Sequence, residues 1–425
     1  MATKETVATA PIVVLLYDRT FVSGSFAAAW RRHRAVYFGL AATWVLLAVL
    51  VAAAHGRGGS VGLDRGADWG DYALTQGWAV LHYLRLVVWP APLVFDYGTG
   101  VMSPAAALPY AAAALGLLVI AAFALRRWPV AGFLGCAFFA ILAPSSGLVP
   151  IVTEVAAEHR MYLALAAVSV GWVLILDWLV GWGRSSALGT TRSTSGVRIA
   201  LALCLALAGA LSVATARRNE DYRDPIRLWQ SAADAVPSNP RAQANLAEAL
   251  AEAGRYPEAA ARCREALRIA PRDAQVWLNL GDYEAAAGEG AQAIAAYETS
   301  LGIEPNSADA QVNLGVLLAR AGRGDDALAH LRLAVRLRPG EEAAHLWLGN
   351  LLAQQGQIPA AEQEFGAAAR LRPDDPLAHN NWGSALFQLG RLPEAAEQFE
   401  AALRLRPDYD SARAALARVR AQMAR

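Results

Sequence analysis

Six prolines in the C-terminal half of the chain recur at one fixed interval of 34 residues. They are Pro237, Pro271, Pro305, Pro339, Pro373 and Pro407. A self-similar period of this length is typical of stacked helical hairpins, each of which buries its apolar face against its neighbours. Chance does not produce such a register. The C-terminal half is therefore predicted to be an α-solenoid.

Other positions repeat in the same register and identify the hairpin. Close approach of the first helix (helix A) to the second (helix B) is marked by Leu280-Gly281, Leu314-Gly315, Leu348-Gly349 and Trp382-Gly383, with Leu246-Ala247 in the first repeat. The turns carry Gly254, Gly288, Gly322, Gly356 and Gly390, and helix B carries Ala259, Ala293, Ala327, Ala361 and Ala395. This is the pattern of the tetratricopeptide repeat. We predict a leading helix or linker at 217–239, five repeats over 240–407 and a charged capping helix at 408–425.

The N-terminal half is apolar enough to predict a polytopic helical membrane domain over residues 1–216. A bilayer span needs roughly 20 apolar residues. Such runs occur at about 35–54, 105–125, 130–149, 161–180 and 199–216. The run at 78–94 is interrupted by charge and proline and is rich in aromatic residues, so we predict a helix lying in the membrane interface. The predicted fold class is all-α, a polytopic membrane domain followed by a tetratricopeptide solenoid.

Arginine-rich loops predict the sidedness of these spans, because cytoplasmic loops carry the excess of basic residues. The basic segments 19–34, 126–127 and 184–198 then lie inside, and segments 55–103, 151–160 and 217–425 lie outside. We predict a multi-pass protein of the bacterial inner membrane with extracytoplasmic repeats. The apolar run up to Leu16 is too short for a span and has no basic leader, so an N-terminally incomplete chain is expected.

Composition supports neither a nucleic-acid partner nor a metal site. The net charge is only +1, so there is no basic balance to attract a nucleic acid. The three cysteines lie in apolar runs or in a repeat and show no CxxC spacing. We interpret them as small buried hydrophobic residues.

The densest ionisable cluster near the membrane lies between two predicted spans. It contains Glu154, Glu158, His159, Arg160 and Tyr162. A guanidinium can hold phosphate oxygens with two parallel hydrogen bonds, and an imidazole or carboxylate beside it could bind or orient the same group. The structural alternative is a capped helix start with interface anchors.

Weaker candidates lie elsewhere in the membrane half. Lys4 and Glu5 could form an ion pair facing a cavity within the membrane. His82, Arg85 and Asp96 could bind ligand but are more often interface anchors. No catalytic residue is assigned.

Four stretches resemble the transmembrane and tetratricopeptide-repeat O-mannosyltransferase family and its bacterial relatives. They are KETVATAPIVVLLYD (4–18), HYLRLVVWPAPLVFDY (82–97), FFAILAPSSGLVPI (138–151) and AEHRMYLALA (157–166). The resemblance implies a membrane half similar to type-C glycosyltransferases, which use a polyprenyl-phosphate sugar outside the cytoplasm. It also implies that the acidic catalytic residue precedes the stretch beginning at Lys4, so none is transferred to this chain. A departure is Ala164, where the family often has proline.

The repeats offer a second candidate site on the concave face that helix A lines in such solenoids. The residue before each close-approach pair is predicted to point into this groove, as Asn245, Asn279, Asn313, Trp347 and Asn381. Because an amide both donates and accepts, a ladder of them could hold an extended polypeptide of almost any sequence. The structural alternative is that these asparagines satisfy neighbouring turns.

We therefore expect a membrane O-glycosyltransferase-like protein with a polyprenyl-phosphate sugar as donor substrate and no certain cofactor. Its partners would be membrane lipid and an acceptor polypeptide held by the repeats. The alternative is a membrane-tethered scaffold for protein–protein interaction without catalysis. Transport of a lipid carrier is a third possibility.

Overall fold

The computed structural model describes residues 9–53, 69–88, 94, 96–97, 100–143, 164, 166–172, 174 and 222–425, with isolated positions 202, 209, 213, 216 and 220. Within these residues every regular element is helical, which confirms the all-α prediction. The chain divides into two compact units, Met1–Leu246 and Ala247–Arg425.

The described part of the first unit contains apolar helices followed by a short amphipathic one. The helices are α1 (Ala10–Tyr17), α2 (Phe26–Ala53), α3 (Trp69–Val88), α4 (Pro104–Arg127), α5 (Pro129–Leu142) and α6 (Pro225–Ala235). A π-helical turn, Asp18–Val22, follows α1. The side chain of Asp224 caps α6 by accepting hydrogen bonds from the backbone amides of Ile226 and Arg227.

The carboxylate of Asp18 ties the π-helical turn to α2. The Ser23 hydroxyl donates to Oδ1 at 2.7 Å, and Nδ1 of His33 lies 2.7 Å from Oδ2. The hydroxyl of Tyr37 donates to the same Oδ2. These hydrogen bonds, that from Tyr37 first, lower the pKa of Asp18 to about 2. The bond from His33 coincides with a kink, because His33 has non-helical backbone angles inside α2.

Helix α3 packs closely along α4 at a glycine. A Cβ added to Gly77 would lie 2.5 Å from backbone atoms of Ala111, so a larger residue does not fit. The same helix is buried in a cluster with α5 through Ala79, Val80, Tyr83, Leu86, Phe138 and Leu142. The helix begins at Trp69 and ends at Val88. One face of the segment that was predicted to lie in the membrane interface is therefore buried within the protein.

Among the described residues, α4 is the helix long and apolar enough to cross a membrane. It has 24 residues and a mean hydropathy of 2.2 in its most apolar window, of which 17% is buried within the protein. Helix α5 is apolar but shorter. Of the predicted span at 161–180 the structure describes residues 164, 166–172 and 174, and of the span at 199–216 only isolated positions. The polytopic arrangement therefore stays a prediction.

Five helical hairpins and a final helix follow, as the 34-residue period predicts. The first three pairs are α7 (Pro240–Glu252) with α8 (Tyr256–Ile269), α9 (Ala274–Ala286) with α10 (Gly290–Ile303), and α11 (Ala308–Arg320) with α12 (Gly324–Leu337). The others are α13 (Glu342–Gln354) with α14 (Ile358–Leu371) and α15 (Pro376–Gln388) with α16 (Leu392–Leu405), followed by α17 (Asp410–Met423). The tetratricopeptide solenoid is confirmed. The turn glycines have φ of 74° to 86°, a left-handed conformation that glycine adopts without steric cost.

Each close approach within a hairpin pairs a glycine on helix A with a large side chain on helix B. A Cβ on Gly281, Gly315, Gly349 or Gly383 would lie 2.5, 2.8, 2.7 or 3.0 Å from Tyr297, Leu331, Phe365 or Phe399, respectively. The first repeat has Ala247 on helix A, and the equivalent residue of helix B is the small Cys263. Volume added on one helix is therefore matched by volume removed from the other, as close packing requires.

A hydrogen bond to a proline carbonyl recurs at the start of helix A with different side chains. The donors are Trp277, Gln311, His345 and His379, which reach Pro271, Pro305, Pro339 and Pro373 at 3.0 to 3.1 Å. In the last three repeats the same side chain also contacts helix B, in the pairs Gln311–His330, His345–Glu364 and His379–Gln398 at 2.6 to 2.8 Å. This position therefore ties the inter-repeat turn to both helices.

We predict that Gly349→Ala destabilises the array by about 1–3 kcal/mol, because the new methyl group overpacks against Phe365. Gly302→Ala is the matched control, since a Cβ at Gly302 of α10 meets nothing within 4 Å. That variant should be neutral or more stable by about 0.5–1 kcal/mol, because alanine favours helix over glycine. Denaturant unfolding of both variants measures the difference. Equal effects of the two substitutions would contradict the close-packing argument.

We further predict a pH-dependent stability that His345 generates. Its two ring nitrogens face a carboxylate of Glu364 and the carbonyl of Pro339, both acceptors, so both bonds require the protonated ring. The bond to Glu364 is the largest cause of a raised pKa for His345. The stabilisation is therefore complete below the ordinary histidine pKa of about 6.5 and is lost as the pH rises through the higher folded value.

The control for this prediction is His379, whose ring faces an amide of Gln398 that can turn and donate to a neutral ring. His345→Gln should remove the fall in unfolding free energy above neutral pH, roughly 1 kcal/mol for one hydrogen bond. His379→Gln should leave that fall in place. Unfolding free energies measured from about pH 5 to 9 check both variants. An unchanged slope in His345→Gln would assign the pH dependence to other groups.

Candidate functional site

The predicted lipid-phosphate site lies outside the described residues. This applies to Glu154, Glu158, His159, Arg160 and Tyr162, and equally to Lys4 and Glu5. Their roles therefore stay predictions.

His82 is built into an aromatic cluster on α3. Its ring stacks on Trp78 with centroids 5.0 Å apart, and Nε2 lies 2.9 Å from the hydroxyl of Tyr97. Burial, and then the positive charge of Arg85, lowers the pKa of His82. The Arg85 side chain itself is exposed. A neutral imidazole hydrogen-bonded to a phenol fits an anchoring role, and a ligand would have to displace Tyr97 to use that nitrogen.

Asp96 is buried and joined to the start of the first repeat. Its Oδ2 accepts a hydrogen bond from Nε of Arg241 at 2.6 Å, and its backbone carbonyl accepts one from the amide of Asn239 at 3.2 Å. Asn239 also caps α7 through its Oδ1, which accepts from the backbone amides of Arg241 and Ala242. Asp96 therefore fixes the residues that begin α7. No pattern in the sequence pairs residues this far apart.

The predicted asparagine ladder is half-buried, and part of it links neighbouring repeats. Nδ2 of Asn313 donates to Oδ1 of Asp282 at 2.8 Å. Asn381 donates likewise to Asn350 at 3.3 Å. In both cases the acceptor lies 31 residues earlier, on helix A of the preceding repeat. These asparagines thus bond across helices rather than to the neighbouring turn that the structural alternative proposed.

Trp347 interrupts this ladder for a reason visible in the preceding repeat. The residue at the corresponding acceptor position of that repeat is Val316, which offers no side-chain acceptor. Trp347 is 40% exposed, and the guanidinium of Arg320 lies 6.0 Å from its ring centroid. The preceding repeat thus supplies an acceptor to Asn313 and to Asn381, whereas it supplies none at the position that faces Trp347. Pairs at this spacing are the sequence signal that could have identified the inter-repeat bonds.

The amides retain unused hydrogen-bonding capacity after these bonds. Asn279 accepts from Gln275 at 2.8 Å and has no acceptor for its own amide hydrogens within the described chain. Asn313 uses one donor and keeps its carbonyl oxygen. Asn245 makes no side-chain hydrogen bond to the described residues. The row therefore keeps both free donors and free acceptors, the groups that pair with peptide units.

A half-buried carboxylate is hydrogen-bonded to this row. Asp282 accepts hydrogen bonds from the Tyr297 hydroxyl at 2.6 Å and from Asn313. Burial raises the pKa of Asp282 above its ordinary value, although both hydrogen bonds oppose the rise. The groove thus contains a carboxylate whose ionised form is disfavoured by partial desolvation and favoured by two hydrogen bonds.

The first unit contains an apolar cleft of about 860 Å³ between α4, α5 and residues 166–172. Its walls include Leu117, Leu134, Phe138, Val168 and Trp172. The lining has the chemistry of a hydrocarbon-binding surface. In the described part of the chain, no group of three His, Cys, Asp or Glu side chains is arranged to hold a metal ion.

Comparison with known proteins identifies the repeats. The tetratricopeptide-repeat family model matches residues 213–274, 278–342 and 346–410. The solved structure of YrrB, described as a TPR protein with an unusual peptide-binding site, is 22% identical and covers 44% of this chain and 96% of its own, with a TM-score of 0.39. TTC0263, a thermophilic TPR protein of Thermus thermophilus, is 25% identical and covers 42% of this chain and 98% of its own, with a TM-score of 0.34.

Two curated relatives are protein O-mannosyl-transferases of Drosophila melanogaster. Tmtc2 is 39% identical over 133 residues, which are 31% of this chain and 13% of the relative. Tmtc1 is 37% identical over 147 residues, 34% of this chain and 16% of the relative. The chain therefore spans less than a fifth of the length of either relative. It contains tetratricopeptide repeats, and over about a third of its length it is similar to insect protein O-mannosyl-transferases.

Proposed function

We propose that this chain is part of a membrane protein O-glycosyltransferase that takes its sugar from a polyprenyl-phosphate donor. The observation that carries the proposal is the 39% identity to a protein O-mannosyl-transferase over 133 residues. The repeats would present the acceptor polypeptide on the extracytoplasmic side, and the apolar helices would hold the donor.

The reaction needs a lipid phosphate as leaving group, because an acceptor hydroxyl attacks the anomeric carbon as the phosphate departs. Charge stabilisation at that phosphate and a general base for the hydroxyl are both required. Arg160 is the candidate for the first role, because a guanidinium binds phosphate oxygens with two parallel hydrogen bonds. The apolar cleft between α4 and α5 supports the proposal, since it suits a prenyl chain. The base is not assigned.

A membrane-tethered scaffold is the second candidate function. It rests on the repeat array alone, since such arrays bind segments of other proteins. The two candidates differ in whether the chain binds a lipid-linked sugar.

Binding of the donor tests the proposal without requiring turnover. The chain, purified in detergent, should retain radiolabelled polyprenyl-phosphate mannose, and unlabelled donor should compete with it. Arg160→Lys keeps the charge but loses the planar guanidinium with its paired donors, so it should weaken donor binding. Arg160→Ala also removes the charge and should weaken donor binding further. Failure of the unaltered chain to bind would favour the scaffold. Unchanged binding by Arg160→Ala would make Arg160 an interface anchor.

Polypeptide capture by the groove is tested through the asparagines that keep unused capacity. Asn245→Ala combined with Asn279→Ala should reduce binding of an unstructured polypeptide several-fold and leave the melting temperature nearly unchanged. Neither residue bonds to the preceding repeat, and within the described chain the substitutions remove only the exposed hydrogen bond from Gln275 to Asn279. Asn313→Ala is the structural comparison. It removes a donor from half-buried Asp282 and should lower stability by about 1–3 kcal/mol. Normal binding by the first pair would place the polypeptide elsewhere.

A further inference from the structure

A cleft of about 670 Å³ opens between the first and second repeats, and none of the groove asparagines lines it. Residues of three helices, α8, α9 and α10, line the cleft. Its floor is formed by the buried residues Leu267, Leu280, Glu284 and Ala296. Trp277 forms one end of the cleft. Its rim consists of exposed side chains, those of Arg264, Arg268, Gln292, Ala295 and Thr299. A volume in this range holds a small molecule or one large side chain.

The internal repeats show what ordinary packing requires at these positions. The position of Glu284 is leucine in every other repeat, as Leu250, Leu318, Leu352 and Leu386, and each leucine is buried. The position of Ala296 is a long polar residue elsewhere, namely Arg262, His330, Glu364 and Gln398. The position of Trp277 is glutamine or histidine elsewhere. Three departures from the repeat pattern meet in one cleft, and the small alanine is what opens it.

Glu284 has one satisfied and one unsatisfied oxygen. Its Oε1 accepts from a terminal guanidinium nitrogen of Arg264 at 2.8 Å. Its Oε2 is buried and accepts no hydrogen bond from the described residues. The whole residue is 4% exposed, and burial raises the pKa of Glu284. An unsatisfied buried acceptor is costly, so a donor that reached this oxygen from the cleft, after a small shift of the side chains that cover it, would gain a strong charge-assisted bond.

We propose that this cleft binds a tyrosine side chain of a partner polypeptide, whose ring packs on Leu267, Leu280 and Trp277 and whose hydroxyl donates to Oε2 of Glu284. The floor offers apolar walls and one vacant acceptor. A tyrosine ring has apolar faces and a single hydroxyl, so it matches the floor in both respects. A buried aromatic anchor is also the usual centre of a protein–protein contact.

The surroundings disfavour other donors. A lysine or arginine side chain would enter beside Arg264 and Arg268, and like charges repel. A sugar ring carries several hydroxyl groups, each of which needs a partner, whereas the floor supplies one. The site is separate from the groove asparagines and does not depend on the proposed transferase activity.

The test compares two short peptides that differ by one hydroxyl, Ac-Gly-Ser-Tyr-Ser-Gly-amide and its phenylalanine analogue. Binding to the full chain in detergent is followed by ligand-observed nuclear magnetic resonance. The tyrosine peptide should bind about ten- to a hundredfold more tightly, the effect of one hydrogen bond to a charged acceptor. Glu284→Leu installs the residue of the other repeats, so it should fold normally and bind both peptides equally weakly.

Two further variants separate the cleft from the rest of the chain. Ala295→Phe places a ring at the exposed rim and should abolish binding of both peptides without touching the carboxylate. Asn245→Ala with Asn279→Ala should leave the preference for tyrosine intact.

Equal binding of the two peptides by the unaltered chain would overturn the proposal. An unchanged preference for tyrosine in Glu284→Leu would also overturn the proposal, because the role of Glu284 would then be limited to its ion pair with Arg264. Competition by methyl mannoside but not by free tyrosinamide would overturn it too and make the cleft a sugar site.

Discussion

The repeat array depends on how closely two antiparallel helices approach within each hairpin. At the crossing, a glycine on helix A leaves the space that an aromatic or leucine side chain of helix B fills, as at Gly349 and Phe365. Interiors are packed as densely as organic crystals, so this contact sets the distance between the two helices of the hairpin. Because the same contact recurs every 34 residues, one local constraint is repeated along the whole array. The first repeat keeps the same close contact with a larger residue on helix A, Ala247, and a smaller one on helix B, Cys263.

Periodicity explains which features could be predicted from the sequence. The glycine turns and the Leu-Gly crossings were predictable because each is a local contact that recurs in one register. The bond between Asp96 and Arg241 was not, because it joins a single pair of residues 145 positions apart. Among the candidate site residues, the asparagine row was predicted from the repeat register, whereas its partners are found only by comparing positions 31 residues apart. Those partners lie on the preceding repeat, where Asp282 and Asn350 accept and Val316 cannot.

The groove shows stability and binding competing for the same groups. Asn313 donates to Asp282 and stabilises that half-buried carboxylate, so Asn313 has less to offer a polypeptide. Asn279 and Asn245 contribute little to the fold and keep more capacity for a ligand. A peptide would therefore be held most firmly toward the first repeats and through Trp347, where stacking replaces hydrogen bonding. The row is better described as two unequal segments than as a uniform ladder.

Departure from an internal repeat separates function from packing without any other sequence for comparison. A leucine at the position of Glu284 packs well in four repeats, so the fold does not need a carboxylate there. A buried ion pair is weak support for stability, and replacing it with an apolar side chain often stabilises a protein. One such departure could be a tolerated accident. Glu284, Ala296 and Trp277 change together, on two helices, and the three positions border one cleft. Independent accidents would be scattered among the repeats, whereas a binding site must collect its residues in one place.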